Sequence, residues 1–309
     1  MIDPLPSKYN YPKNNNTNLF YDFKDDYEFY EKLIIGYTFF ITANYISYFL
    51  ISKYKFVYTI LTNIIFFIIY SKILKYKYVL KKQRCDLYIP KLITYGLQKY
   101  INTPHIFKGN NKEIMFPKYK IFENNHTIIL KETNNIIQNI KNIPLFSNVI
   151  PYNGLKISDF DKKTNRAWRA VPLKIEGVFT SYGKQYLPNT CKIINIPEIR
   201  NCFISVLEGK RHIGIHKGYF KGYIRYLYCI IEPKEGYSFI YINKEKYIFK
   251  EGQGILWDDT YPHEVYNMSD DVRICLFVDV VRKFDNKIFN AIFNKIFLIS
   301  KYSKQLKER

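Results

Sequence analysis

Two kinds of hydrophobic pattern divide the chain. From Leu33 to Ser52, and again from Phe56 to Ser71, the residues carry no charge and are apolar all round, without the single stripe of an amphipathic helix. The first run has the length needed to cross about 30 Å of hydrocarbon, and the second suffices if flanking lysines reach the interface. Together they predict a transmembrane helical hairpin over 33–71. Farther on, Ile128, Ile129, Ile136, Ile137 and Ile140 fall at helical spacing within Asn124 to Ile143, and Pro144 closes the stretch. From about Phe203 the period changes to two. Tyr223–Glu232, Tyr237–Ile242, Lys246–Phe249, Gly254–Asp258, His263–Asn267 and Val272–Val281 are short runs rich in Ile, Val, Tyr and Phe, separated by turn residues. Six such strands predict a mainly β sandwich or jelly roll.

Composition sharpens this picture in three ways. Hydrophobic residues make up 47% of the chain and charged residues 24%, so a packed core is available and a wholly disordered chain is excluded. Lys+Arg exceed Asp+Glu by 47 to 27, giving +20, but the lysines are scattered and no aromatic and arginine groove marks a nucleic-acid partner. Where basic residues do cluster, at Lys72, Lys75, Lys77, Lys81, Lys82 and Arg84, they follow the second apolar run, while Asp22 to Lys32 before the first is net acidic. The positive-inside rule therefore places the large C-terminal domain on the cytoplasmic side, for one span or for two. The five cysteines, Cys85, Cys191, Cys202, Cys229 and Cys275, include no C-x-x-C pair and read as buried free thiols in a reducing compartment. The chain opens on polar residues, with no cleavable signal peptide. The expected divisions are a polar tail (1–32), the hairpin (33–71), a basic collar and helical lead-in (72–149), the β domain (150–285) and a basic C-terminal helix or tail (286–309).

Two arginines sit where core residues belong. Arg225 and Arg273 lie inside strand-like runs, and a buried guanidinium needs an anion. Asp258, Asp259 or Asp279 could serve, or a bound ligand. His216 and His263 fall at strand edges of the same domain, and imidazole is a good ligand for iron or zinc. Asp258 and Asp259 precede His263 at a strand end, where a carboxylate could orient its ring through the second nitrogen or simply cap the turn. His105, His126, Trp168 and Trp257 read as structural.

The arrangement Ser-x10-His-x-Gly-x6-Arg-x37-His-x9-Arg, formed by Ser205, His216, Gly218, Arg225, His263 and Arg273, resembles the aspartyl/asparaginyl β-hydroxylase family, which includes bacterial lipid A hydroxylases. The similarity spans roughly residues 150 to 282 and is closest in DDTYPHEVYN and VRICLFVDVVR. It implies a double-stranded β-helix of jelly-roll or cupin type with flanking helices, and a dioxygenase reaction that uses Fe(II), O2 and 2-oxoglutarate. His216 and His263 would be the iron ligands, with Gly218 where most such oxygenases place a carboxylate. Arg273 and Ser205 would hold the distal carboxylate of 2-oxoglutarate, and Arg225 would lie by its iron-binding end. Leu227 departs from a usual histidine, for which His212, Tyr226 or Tyr228 could substitute. The implied substrates are lipid acyl chains or peptide Asp and Asn, and the hairpin with its cytosolic domain leans toward lipid. The rival reading is a cupin-like module that binds an anion at the membrane without catalysis.

Overall fold

The β-branched and aromatic stretches of the C-terminal half form two antiparallel sheets in the computed structural model, which describes residues 34–38, 40–42, 44–45, 63–68, 94, 101, 103–149, 160–161, 166–218, 220–234 and 237–307. The strands are β1 (Ile106–Phe107), β2 (Phe160–Asp161), β3 (Arg166–Ile175), β4 (Val178–Phe179), β5 (Ile199–Leu207), β6 (Arg211–His216), β7 (Tyr223–Ile231), β8 (Ser238–Ile242), β9 (Glu245–Ile248), β10 (Gly254–Trp257), β11 (His263–Asn267) and β12 (Arg273–Val281). The larger sheet runs β1-β10-β7-β12-β5-β3-β2, with β4 hydrogen-bonded to β3, and the smaller runs β6-β11-β8-β9. The helices are α1 (Asn110–Met115), α2 (Lys120–Asn124), α3 (His126–Ile137), α4 (Phe146–Val149), α5 (Ser181–Tyr186), α6 (Pro188–Ile193) and α7 (Lys287–Lys307).

The central strands β5, β7 and β12 are buried along almost their whole length because both faces of the larger sheet are covered. On one face Ile204, Val206, Tyr226, Tyr228, Leu276 and Val278 join Phe122, Ile129, Leu187 and Ile194 in a core shared with the helices. On the other, Phe203, Leu207, Leu227, Cys229, Cys275 and Phe277 meet Ile213, Ile240, Ile242 and Val265 of the smaller sheet. The outer face of that smaller sheet is open, so β11 alternates buried with half-buried residues and β9 half-buried with exposed ones. The two arginines and two histidines thus lie on strands of two sheets that face each other across this second core.

The helix expected over 124–143 is shorter than its isoleucine spacing suggests. It runs as α3 and ends near Ile137, where Asn139 (φ −117°, ψ 57°) leaves the helical region before a single 3-10 turn at Ile140–Asn142. Asparagine competes for backbone partners and favours such breaks. The transmembrane hairpin predicted over 33–71 lies mostly outside the described residues, and among those described no helix is long and apolar enough to cross a membrane. Within the parts described, the two apolar runs touch: Phe40 stacks on Phe66 at 3.7 Å and Tyr37 meets Phe67 edge-on at 5.2 Å. Cys191, Cys202, Cys229 and Cys275 are buried and free, as expected, while Cys85 lies outside the described residues.

One buried ionic network fixes the turn between β10 and β11. The Asp258 carboxylate accepts from Lys221 Nζ at 2.7 Å, Arg282 Nη2 at 2.6 Å, and the Thr260 amide and hydroxyl at 3.1 and 2.7 Å. Burial works to raise its pKa, but Arg282 and Lys221 hold it below the usual carboxylate range. Arg282 also donates from Nε to the Lys221 carbonyl at 2.6 Å, so the network joins β12 to the loop after β6. Asp258→Asn is expected to destabilise the fold by about 3–5 kcal/mol, because it leaves two buried cations uncompensated. Urea denaturation at pH 7 checks this, and a loss below about 1 kcal/mol would mean that the network is not energetically coupled.

Candidate active site

The two histidines meet where the smaller sheet faces its partner. His216 ends β6, His263 begins β11, and the two are direct cross-strand partners. Their ring centroids are 3.9 Å apart and both residues are buried. Neither imidazole is oriented by Asp258 or Asp259, the carboxylates that the sequence placed nearby. His216 Nδ1 instead donates to the Gly214 carbonyl at 2.8 Å and His263 Nδ1 to the Tyr261 carbonyl at 2.9 Å. Each bond lies within two residues, so the local bend of the chain sets the ring orientation. With the proton on Nδ1, each Nε2 keeps its lone pair, which is the form a metal requires.

Burial holds both rings neutral. It lowers the His216 pKa to about 4, assisted by the positive charge of Arg225, and depresses His263 well below its ordinary value, assisted by His216. A base whose pKa falls on folding contributes stability that is complete above its unfolded value, near 6.5, and is lost as pH falls through the folded value. The metal-free protein should therefore weaken between about pH 6.5 and 4, by about 3 kcal/mol for His216 alone. His216→Gln should flatten this limb of a denaturant midpoint plotted against pH. An unchanged limb would assign acid sensitivity to other groups.

Arg273 is the most unusual side chain beside the inter-sheet core. It opens β12 opposite Leu207 and is 2% exposed, yet its Nε and Nη1 have no hydrogen-bond partner among the described residues. The guanidinium rests 4.9 Å from the Phe249 ring centroid. A permanently charged group left this way is costly, and a bound anion is one partner that would offset the cost. Ser205 lies one register step away on β5, opposite Cys275 on the same face. Its Oγ accepts from Trp168 Nε1 at 3.0 Å, which leaves its own proton free to donate. Trp168 in turn stacks on Phe146 at 3.7 Å.

Arg225 has a different environment. Its Nε and Nη2 donate to Asp279 Oδ1 at 3.0 and 2.8 Å, and Nη1 meets Asp259 Oδ2 at 2.8 Å. Its guanidinium lies over the Phe277 ring at 3.7 Å. Of the two possibilities open in the sequence, an internal carboxylate or a ligand, the structure gives Arg225 the first. Asp259 is buried, and burial pushes its pKa up to about 7 although Arg225 pulls the other way. That carboxylate fills the space beside Gly218: a Cβ on Gly218 would come within 2.1 Å of Asp259 Oδ2, and the Gly218 amide donates to the Asp259 carbonyl at 2.6 Å. Nothing larger than glycine fits at 218 while Asp259 stands there.

Three further placements could not be read from the chain. Trp257 touches His263, with ring centroids 4.4 Å apart, and its buried Nε1 has no partner among the described residues. The only signal was parity, since Trp257 is the register partner of Arg225. Leu227 packs on the inner face opposite Phe277 and Ile255. The residues expected to stand in for a histidine there do not: Tyr226 and Tyr228 point to the helix-covered face, toward Phe122 and His126, and His212 stacks on Tyr266 while pairing with Glu264. His105 and His126 pair with Glu245 and Glu251.

Two facing antiparallel sheets, with two neutral imidazoles and a buried arginine on their strands, make a mainly β sandwich of jelly-roll type. Residues 123–283 match the aspartyl/asparaginyl beta-hydroxylase family, and the chain belongs to it. An ornithine lipid ester-linked acyl 2-hydroxylase of Rhizobium tropici is 29% identical over 121 residues, 38% of this chain and 43% of that protein. The aspartyl/asparaginyl beta-hydroxylase of Homo sapiens is 28% identical over 99 residues, 30% of this chain and 13% of that protein. The chain thus spans less than half the length of these relatives. A 2OG-Fe(II) oxygenase family oxidoreductase from Burkholderia pseudomallei is 14% identical, with 41% of this chain and 73% of that one covered at a TM-score of 0.29. Among the described residues no group of three or more His, Cys, Asp or Glu is placed to hold a metal.

Proposed function

We propose that the chain is an Fe(II)/2-oxoglutarate-dependent dioxygenase that hydroxylates an unactivated C–H bond of a membrane-lipid acyl chain. The observation that carries this reading is the buried Arg273 guanidinium, with two N–H donors unpaired among the described residues, beside the same inter-sheet core as two neutral imidazoles whose Nδ1 protons are held by backbone carbonyls. Those residues suit a divalent metal ion and an anion such as a carboxylate together.

His216 and His263 would hold the iron, their rings fixed by the Gly214 and Tyr261 carbonyls. Bound there with 2-oxoglutarate and O2, iron supplies the oxidising chemistry, in which decarboxylation to succinate and CO2 accompanies hydroxylation of the substrate. Arg273 would pair with the distal carboxylate, and Ser205, already accepting from Trp168, would donate its hydroxyl proton to the same group. Arg225, engaged by two carboxylates, would act by holding Asp259 beside Gly218 instead of gripping the cosubstrate itself. Trp257 would offer its indole N–H and wall off water on the His263 side.

The lipid preference rests on two supports. The relative with the longer matched stretch is named for acyl hydroxylation of a lipid. In addition, Ile35, Ile41, Ile64, Ile65 and Ile68 of the apolar runs are exposed, which is consistent with contact between this region and lipid. The human relative supports a second reading, hydroxylation of Asp or Asn in a peptide. Succinate release from 2-oxoglutarate by the full chain with Fe(II) under air tests the reaction. Stimulation by lipids with ester-linked or amide-linked acyl chains, and not by Asp- or Asn-containing peptides, is the expected outcome. The reverse pattern would move the assignment to peptides, and absence of both turnover and 2-oxoglutarate binding would leave an anion-binding module.

A further inference from the structure

Helix α7 presents two apolar faces, and the sandwich uses one. Phe293 and Phe297 are buried against Phe220 at 5.7 and 6.1 Å, and Phe297 stacks on Tyr223 at 5.3 Å. Arg200 Nη2 ties the helix down by donating to the Phe297 carbonyl at 2.8 Å. On the far side Ile288, Ile292 and Leu298 are 67%, 48% and 54% exposed, flanked by the exposed Lys287 and Lys295. The helix sequence carries lysines at 287, 295, 301, 304 and 307 and no acidic residue.

We propose that this outward face of α7 docks on the surface of an anionic lipid bilayer. Exposed isoleucine and leucine interleaved with the exposed Lys287 and Lys295 fit the boundary between headgroups and acyl chains, where apolar residues enter and lysines reach back to phosphate. The lack of any acidic side chain selects an anionic surface over a neutral one, since each lysine near such a surface contributes about 1 kcal/mol. Asn290, Asn294 and Lys295 interrupt the apolar character in mid-helix, so α7 lies along the interface and does not cross it. Its seat gives the docking a use. Phe220 lies four residues after His216, in the segment that carries Gly218, so α7 rests on the loop leaving the site and holds that end of the sandwich near the acyl chains. The docking does not depend on the dioxygenase reading, although it deepens the choice of a lipid substrate.

The test places a fluorophore on the face itself. Full-length Ile292→Trp is mixed with vesicles of phosphatidylcholine with or without phosphatidylglycerol, whose acyl chains carry bromine, in the absence of iron and 2-oxoglutarate. Trp168 and Trp257 are buried and serve as the unquenched background. Quenching specific to Ile292→Trp, confined to anionic vesicles and weakened by salt, is the expected result. Lys287→Gln with Lys295→Gln in that background should shift the local docking equilibrium roughly thirtyfold. Attachment through residues 33–71 alone, or cover by another protein segment, would leave the introduced indole unquenched and overturn the proposal. So would equal quenching in neutral vesicles. Succinate formation by the same variants, read separately, reports the dioxygenase reaction, so failure of one reading is distinguishable from failure of the other.

Discussion

Arg273→Met is expected to make the ligand-free protein more stable while removing its affinity for 2-oxoglutarate. The two effects have one cause. In the free protein the guanidinium is buried with Nε and Nη1 unpaired, so its desolvation is not repaid by any described partner. A thioether of similar volume against Phe249 avoids that cost, and replacements of buried, poorly compensated charge by apolar side chains gain up to about 4 kcal/mol. On the proposed assignment the cosubstrate would lose its buried countercharge, which for a hydrogen-bonded charge pair costs about 2–5 kcal/mol, or roughly thirtyfold or more in apparent affinity. Denaturant midpoints measure the first effect, and the 2-oxoglutarate KM for succinate release, or its Kd with Mn(II) under nitrogen, measures the second. Arg273→Lys separates charge from geometry: it keeps the charge but loses the paired N–H donors, and should recover only part of the affinity. If Arg273→Met destabilised the free protein by several kcal/mol, the guanidinium would have an internal partner and the anion site would have to be sought elsewhere.

The same arginine marks how far the chain could be read before its structure was known. The strands from β7 to β12 were legible to within about a residue or two at their ends, because each is a short apolar run between turn residues and the period of two is strong there. Strands β3 and β6 were not, since β3 carries Pro172 with a register shift beside it and β6, with the sequence RHIGIH, has no long apolar run. Burial of Arg225 and Arg273 was legible from their strand context, but which one keeps an internal partner was not. That depends on Asp259, brought to Arg225 by the turn between β10 and β11, a contact that no local spacing encodes. The pairing of His216 with His263 followed from family resemblance, while the tether on each ring, a carbonyl two residues back, is a matter of backbone geometry that residue types do not specify.

Loss of either histidine should be more damaging here than in a site with three protein ligands. On the proposed assignment His216→Ala or His263→Ala would leave a single imidazole for iron, and removing a partner that merely orients a ligand already costs about 10- to 100-fold in metal affinity. Deleting the ligand itself should therefore lower affinity by more than about 100-fold and reduce succinate release to background. Mn(II) titration followed by electron paramagnetic resonance reads the binding directly, and retention of binding by both variants would place the metal elsewhere. A carboxylate added by Gly218→Asp does not offer a rescue. The position is closed by Asp259, whose Oδ2 would lie 2.1 Å from the new Cβ, and pushing that group aside would break its contact with Arg225 at 2.8 Å. Gly218→Asp alone should thus lose stability and metal binding together, by the cost of displacing a buried charged pair, about 3–5 kcal/mol. Combined with Asp259→Gly, the swap moves the carboxylate from one strand end to the other without crowding, and metal binding should return at least in part. A Gly218→Asp protein that folded and bound metal as well as the parent would show that Asp259 moves freely and that the site does not depend on its place beside Gly218.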